Sequence, residues 1–163
     1  MKKQIRIVMI VACILLLGLL FFGFLSFNSY TPPDESTLPE GSILENPVGI
    51  TLEVTDANSS SLTLRITQSG GTQTGELQYG SGFWIEMLNE DGEWEALKPK
   101  ENTAFTLVAY PIKLDSKLER DVNFEWLYGQ LENGTYRFCM EVMDFRGTGD
   151  YTVYPCYTEF AVK

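Results

Sequence analysis

The sequence contains no histidine, only three cysteines and few basic residues. Without histidine there is no imidazole base for a catalytic nucleophile, no histidine metal ligand and no imidazole pH switch. From Thr31 onward, nine basic and 22 acidic residues give 9 − 22 = −13, whereas the first thirty residues carry +3. Because phosphate binding needs a basic surface, this acidity argues against DNA or RNA as a partner.

From Ile7 to Phe27 there are 21 consecutive residues without a charge, dominated by Ile, Leu, Val and Phe. At about 1.5 Å per residue, a helix of this length spans roughly 30 Å, the thickness of the hydrocarbon core of a bilayer. A basic N-terminus, residues 1–6, precedes the segment. The positive-inside rule therefore predicts a single-pass cell-membrane anchor with a cytoplasmic N-terminus and an extracytoplasmic C-terminal domain.

Two other interpretations of this segment stay open. A cleaved signal peptide has a shorter apolar stretch and a small-x-small cleavage site, whereas Phe24 and Phe27 take the −3 position of the available sites. Lipidation at Cys13 is the second alternative, because the residues Ile-Val-Ala-Cys that end there resemble a bacterial lipobox. Against lipidation, the apolar run continues for a long stretch after Cys13.

The region after the apolar segment divides into two parts by composition. Residues 28–46 are rich in proline and acids and have neither a helical nor a strand period, so we predict a disordered linker. Residues 47–163 have the usual length of one domain with one core. Within them, eight short segments have a strand-like pattern: 48–54, 60–67, 83–88, 94–97, 105–109, 122–127, 136–143 and 151–162. This pattern predicts an all-β, antiparallel sandwich.

One block of this domain resembles a known motif. The residues Leu131-x-x-Gly134-x-Tyr136 are similar to the tyrosine corner of Ig-like sandwiches, in which the Tyr hydroxyl bonds to the backbone a few residues upstream. Together with Trp-Ile-Glu-Met-Leu, Asp-Gly-Glu-Trp and the final Glu-Phe-Ala-Val, the block resembles a bacterial Ig-like family of exported or membrane-anchored proteins. The resemblance covers about residues 47–163 and implies a fold and a location, but no catalytic residue.

The cysteines of the domain allow two interpretations. Opposed residues in the last hairpin are expected to sum to about 295, as Cys139 and Cys156 do, which favours a cross-strand disulfide. Parity favours two separate thiols, because counting back from Phe160 turns Cys156 inward while Cys139 points outward. A bulge at Pro155 is needed to reconcile the two. The inter-sheet bridge of antibody domains is absent, since the second strand has no cysteine.

No pattern of catalytic, cofactor-binding or metal-ligating residues emerges from the sequence. The acidic stretch 89–93 lacks the spacing of an EF-hand and is typical of a hairpin turn. Five glutamates of strand and hairpin segments alternate outward, as a solvated face does: Glu86, Glu93, Glu119, Glu125 and Glu141. We therefore predict that the protein is not an enzyme; the alternative is a small exported hydrolase that uses two carboxylates.

The best candidate contact surface lies on the last strand. Tyr151, Val153 and Tyr157 share one face by parity, and an outward aromatic strip is a typical protein contact surface. The sequence thus predicts a non-catalytic binding, structural or sensory role at the cell surface. Its partners are the membrane, through residues 7–27, and an unidentified protein or cell-wall component.

Overall fold

A computed structural model describes residues 47–163. The predicted basic N-terminus, membrane segment, linker and Cys13 lie outside the described residues. Within residues 47–163, no helix is long and apolar enough to cross a membrane. The described chain is almost entirely extended, with strands β1 Ile50–Ala57, β2 Ser61–Gln68, β3 Glu76–Gly80, β4 Trp84–Leu88, β5 Trp94–Ala96, β6 Ala109–Pro111, β7 Ser116–Asn123, β8 Gly134–Gly147 and β9 Asp150–Val162, and one short helix, α1 Glu125–Tyr128.

The strands form two antiparallel sheets, consistent with an Ig-like sandwich. The smaller sheet has the order β1-β2-β7. In the larger sheet the long strand β8 is central: β9 pairs with one edge, while β4 and β3 pair with successive parts of the other. Strand β5 then extends the sheet beyond β4, and β6 extends it beyond β3.

Alternate residues of both sheets point inward and form one core. On β2, Leu62, Leu64 and Ile66 are buried, with neighbours of intermediate exposure. Aromatic rings link β8, β9 and the start of α1, because Phe160 lies 5.6 Å from Tyr136 and 6.2 Å from Phe124 between ring centroids. Burial of these apolar side chains is the main stabilising contribution to such a sandwich.

Three parts of the strand prediction were wrong. Strand β3 was missed, because its five residues contain only two inward apolar side chains, Leu77 and Tyr79. Residues 103–108 are not a strand, and pairing with β3 begins only at Ala109. The strand expected over 122–127 instead ends at Asn123 and is followed by α1.

Most of β7, Ser116–Asn123, was not predicted as a strand, and the structure shows the physical reason. Its inward positions include Arg120, whose guanidinium carbon lies 5.3 Å from the centre of the Tyr79 ring. A cation that stacks on an aromatic ring fills an inward position of a strand, but it breaks the apolar alternation from which strands are predicted. Past Asn123, the Ser60 carbonyl accepts hydrogen bonds from the N–H groups of Phe124 and Glu125, which directs the chain into α1.

Candidate contact surface

The outer face of the larger sheet is built from cross-strand rows of side chains. One row runs Glu86, Arg137, Glu159 over β4, β8 and β9, and the next runs Trp84, Cys139, Tyr157. Further along β8, Glu141 lies opposite Pro155, Met143 opposite Val153, and Phe145 opposite Tyr151. Because directly opposed residues share one face of a sheet, these side chains form one surface.

The three residues predicted as a contact surface all lie on this face and are exposed. Tyr151 is 50% exposed, Val153 38% and Tyr157 45%. Together with the half-buried Met143 and Phe145 of β8, they form what we call the β9 strip. The strip is a largely apolar surface over two neighbouring strands.

At one end of the strip, an arginine lies between two aromatic rings. The guanidinium carbon of Arg137 is 3.9 Å from the centre of the Trp94 ring and 4.5 Å from that of Tyr157. Its Nη2 donates to the Glu159 carboxylate at 3.3 Å. This arrangement combines stacking with charge pairing and fixes the orientation of Tyr157.

The middle of the strip contains a carboxylate without a cation. The Glu141 side chain is half-buried, and desolvation raises its pKa above the ordinary value for glutamate. Among the described residues it has neither a salt bridge nor a side-chain hydrogen bond. Its neighbours on the face are Cys139 and Met143 on β8, and Pro155 on β9.

The two cysteines of the domain are not bonded to each other. Cys139 lies opposite Tyr157 and Cys156 opposite Met140, so opposed residues sum to 296 and not to 295. A difference of one residue places the two side chains on opposite faces of the sheet, as in the interpretation with two separate thiols and not as in the disulfide interpretation. Burial first, then the charge of Glu86, raises the pKa of the Cys139 thiol far above its usual range, which favours the protonated form over the reactive thiolate.

The residues of the predicted tyrosine corner make a local hydrogen bond. The Tyr136 hydroxyl donates to the Glu132 carbonyl at 2.9 Å, and Leu131 is buried beside it. Gly134 leaves room for the tyrosine ring, because a Cβ at this position would lie 3.3 Å from a ring carbon. The corner anchors the start of β8, and therefore of the strip, to the preceding loop.

The acids considered for hydrolysis lie on different elements. Glu119 binds Arg65 on the smaller sheet, Glu93 follows the β4–β5 turn, and Glu125 begins α1. Glu86 and Glu141 share the outer face of the larger sheet, but Glu86 is opposite Arg137. Arg137 and Glu141 are four positions apart on β8, so their backbones are about 13 Å apart, a wider separation than that between the carboxyl groups of glycosidases.

The acidic turn is a hairpin turn closed by its own asparagine, and two grooves of the described domain each have one acid in their lining. In the turn, the Asn89 side-chain oxygen accepts from the N–H groups of Asp91 and Glu93 at 3.1 and 2.8 Å, and Gly92 has a φ of 81°. Two grooves of about 240 Å³ each contain a single acid, Asp121 in one and Glu132 in the other. Residues 47–163 contain no cluster of three or more Asp, Glu or Cys placed to hold a metal ion.

Sequence reasoning named Tyr151, Val153 and Tyr157 of the β9 strip, but it did not connect them with the charged residues Arg137 and Glu141 on the same face. The stack of Trp94, Arg137 and Tyr157 joins three strands that are not all adjacent in the chain, so no local motif encodes it. Parity did place Arg137 on the outer face, and this was the available signal.

A comparison with protein families identifies the domain. The family model described as a bacterial Ig-like domain matches residues 45–160. This match covers most of the chain, which therefore belongs to the bacterial Ig-like domain family, a typically non-catalytic family. No curated protein matches the chain.

Proposed function

We propose that the protein is a membrane-anchored binding module that displays one Ig-like domain outside the cytoplasm. Residues 7–27 form the anchor, residues 28–46 the linker, and residues 47–163 the domain. Three observations support this arrangement: the 21-residue uncharged run, the basic residues before it, and the acidity of everything that follows. The role of the domain is non-catalytic contact with a protein or cell-wall component through the β9 strip.

The contrast between the two outer faces carries this proposal. On the smaller sheet, Arg65 of β2 pairs with Glu53 of β1 and with Glu119 of β7, each at 2.7 Å, so salt bridges link the three strands across that outer face. On the larger sheet, Tyr151, Val153 and Tyr157 expose apolar surface. A solvated ionic face and an exposed aromatic face on the same sandwich favour the second as the binding surface.

Site-specific photocrosslinking in intact cells tests the contact surface. A benzoylphenylalanine is placed at Tyr157 and, in a matched variant, at Tyr110 on β6, which is 40% exposed. We expect a discrete crosslinked species from position 157 and none from position 110. Equal crosslinking from both positions, or none from 157, would contradict a role for the β9 strip.

Protease treatment of whole cells tests the location. We expect cleavage within residues 28–46 to release the domain, since a polar segment without a packed core is open to proteases when it is exposed. An intact chain in whole cells, together with cleavage after the cells are lysed, would place the domain in the cytoplasm and refute this part of the proposal.

A further inference from the structure

The carboxylate of Glu141 is half-buried and unpaired, whereas several other acids on the sheet faces of the domain have a partner. Glu53 and Glu119 share Arg65, and Glu159 pairs with Arg137. Glu86 accepts a hydrogen bond from the Trp84 indole N–H at 2.9 Å. Within residues 47–163, Glu141 has no such partner, although it lies at the centre of the exposed apolar strip.

The position of Glu141 makes its charge costly in the free domain. Its neighbours are Met143 on its own strand, Pro155 directly opposite, and Val153 and Tyr157 diagonally opposite. Met143, Pro155 and Val153 have no hydrogen-bond donor in their side chains, and the Tyr157 side chain makes no hydrogen bond with the Glu141 carboxylate. Partial desolvation weakens hydration of the charged form, which is why its pKa is raised. A cation from a binding partner would compensate for the weakened hydration of the Glu141 carboxylate. The attraction between the two charges would be stronger there than at a fully hydrated surface acid.

The same face already shows how a cation is held. Arg137 lies between the Trp94 and Tyr157 rings and pairs with Glu159, so apolar surface and carboxylate act together on one cationic side chain. The strip around Glu141 repeats the apolar surface and the carboxylate, but the domain supplies no cation there. Charge complementarity therefore identifies what would complete it.

Building on the proposed binding role of this face, we propose that Glu141 recognises a lysine side chain of a protein partner. The ammonium group pairs with the Glu141 carboxylate, and the methylene stem lies along Val153, Pro155 and Tyr157. A long side chain with an apolar stem and a charged end matches a carboxylate set within an apolar strip. The other acids of the face add a long-range attraction for a basic partner.

Methyl NMR on the full chain in lipid nanodiscs tests the lysine site directly. Methionine methyl groups are labelled with carbon-13, and the probe is the blocked tripeptide Val-Lys-Val. Met143 neighbours Glu141 on the outer face, whereas Met140 is buried on the inner face of the same strand and serves as an internal control. We expect a saturable shift of the Met143 methyl signal and no shift of the Met140 signal.

Two matched controls separate the Glu141 site from general acidity. E141Q and E53Q each remove one negative charge, but Glu53 lies on the smaller sheet. We expect E141Q to raise the dissociation constant for the tripeptide by about fivefold or more, and E53Q to raise it by less than about twofold. The tripeptide with acetylated lysine, which lacks the charge, should leave the Met143 signal unchanged.

Several results would overturn the proposal. The first is an equal loss of tripeptide affinity in E141Q and E53Q. The second is a shift of the Met143 methyl signal by the acetylated tripeptide that equals the shift by the unmodified one. The third is no shift of the Met143 signal at about 20 mM tripeptide, a concentration at which millimolar binding is visible. Thermal unfolding of E141Q close to that of the wild type excludes misfolding as the cause of lost binding.

The cellular crosslink distinguishes this inference from the proposed function. A species crosslinked at Tyr157 that E141Q does not diminish would leave the binding surface standing and refute the lysine contact. A crosslinked wall glycan in place of a protein would also refute it. If the Met143 signal responds as expected but no crosslink forms at Tyr157, the cation site stands and the proposed function fails.

Discussion

Replacement of the buried Asp144 by Asn tests which polar contacts hold the domain together. The Asp144 side chain is 1% exposed and occupies a buried position near the C-terminal end of β8. Its Oδ2 accepts from the N–H and hydroxyl of Thr74 at 2.7 and 2.8 Å, and its Oδ1 accepts from the Gly75 N–H at 2.5 Å. The carboxylate thus anchors the loop before β3 to the central strand.

The cost of D144N follows from these three bonds. Asn keeps one acceptor oxygen and presents an NH₂ group where the second oxygen was, so at least one backbone or hydroxyl donor faces another donor. Loss of a charge-assisted bond and one unsatisfied buried donor together cost about 3 kcal/mol. The Arg146 ion pair, at 3.8 Å, adds little.

Asp150 provides the matched control, since it also binds Arg146. Its carboxylate accepts from Nε at 2.8 Å, but its side chain is 67% exposed. D150N should therefore cost about 0.5 kcal/mol or less. Urea unfolding followed by tryptophan fluorescence should show a midpoint about 2 M lower for D144N and nearly unchanged for D150N, with equal slopes.

The pH dependence supplies a second check on Asp144. Burial alone would raise its pKa, but the hydrogen bonds from Thr74 and Gly75 and the charge of Arg146 outweigh burial and lower it. A lowered folded-state pKa means that the stabilisation is complete above the unfolded value of about 4 and is lost as the pH falls through the folded value. The stability gap between wild type and D144N should stay constant from pH 7 to about 5 and narrow below about 4. Equal costs for the two variants, or a gap that does not narrow in acid, would refute the reasoning.

Three further predictions concern single positions. Y136F removes the hydroxyl of the corner and should cost about 1 kcal/mol in urea unfolding, so an unchanged midpoint would contradict its anchoring role. G75A should cost about 3 kcal/mol, because a Cβ there overlaps the Phe145 backbone carbonyl, whereas G147A, with open space around it, should be near neutral; equal effects would count against this packing. A chain with Cys139 as its single cysteine should react with a thiol reagent about 100-fold more slowly when folded than in urea, and comparable rates would mean that the thiol is accessible.

The parts of the fold that the sequence predicted are those where period two is unbroken. Strands β1, β2, β8 and β9 bury alternate apolar residues, and their patterns match the expected segments. The failures have different causes. Arg120 occupies an inward position of β7, where its guanidinium stacks on the Tyr79 ring. Phe105 belongs to no strand, and its ring contacts the rings of Phe83 and Trp126 edge to face. Tertiary contacts of this kind leave no period in the sequence.

The register assumed for a disulfide between Cys139 and Cys156 differs from the observed register by one residue. Gly147 lies opposite Asp150, a sum of 297, and a bulge between Phe145 and Gly147 shifts the rest of the hairpin to 296. A turn can be located from its glycines, but the bulge that sets the final register depends on the backbone and has no residue signature here. Parity alone correctly separated the faces of Cys139 and Cys156.

Some features of the candidate site could be predicted from the local sequence pattern, whereas others depend on which strands pair. Parity along β9 is a local property, and it found Tyr151, Val153 and Tyr157. The charge of Glu141 was also visible in the sequence, but it was grouped with the solvated acids because alternation gives the direction of a side chain and not its neighbours. Only the pairing of β8 with β9 sets it opposite Pro155, away from every cation of the described domain. An acid becomes informative about a partner when the surrounding strands leave it desolvated and uncompensated, and that property belongs to the sheet and not to the strand.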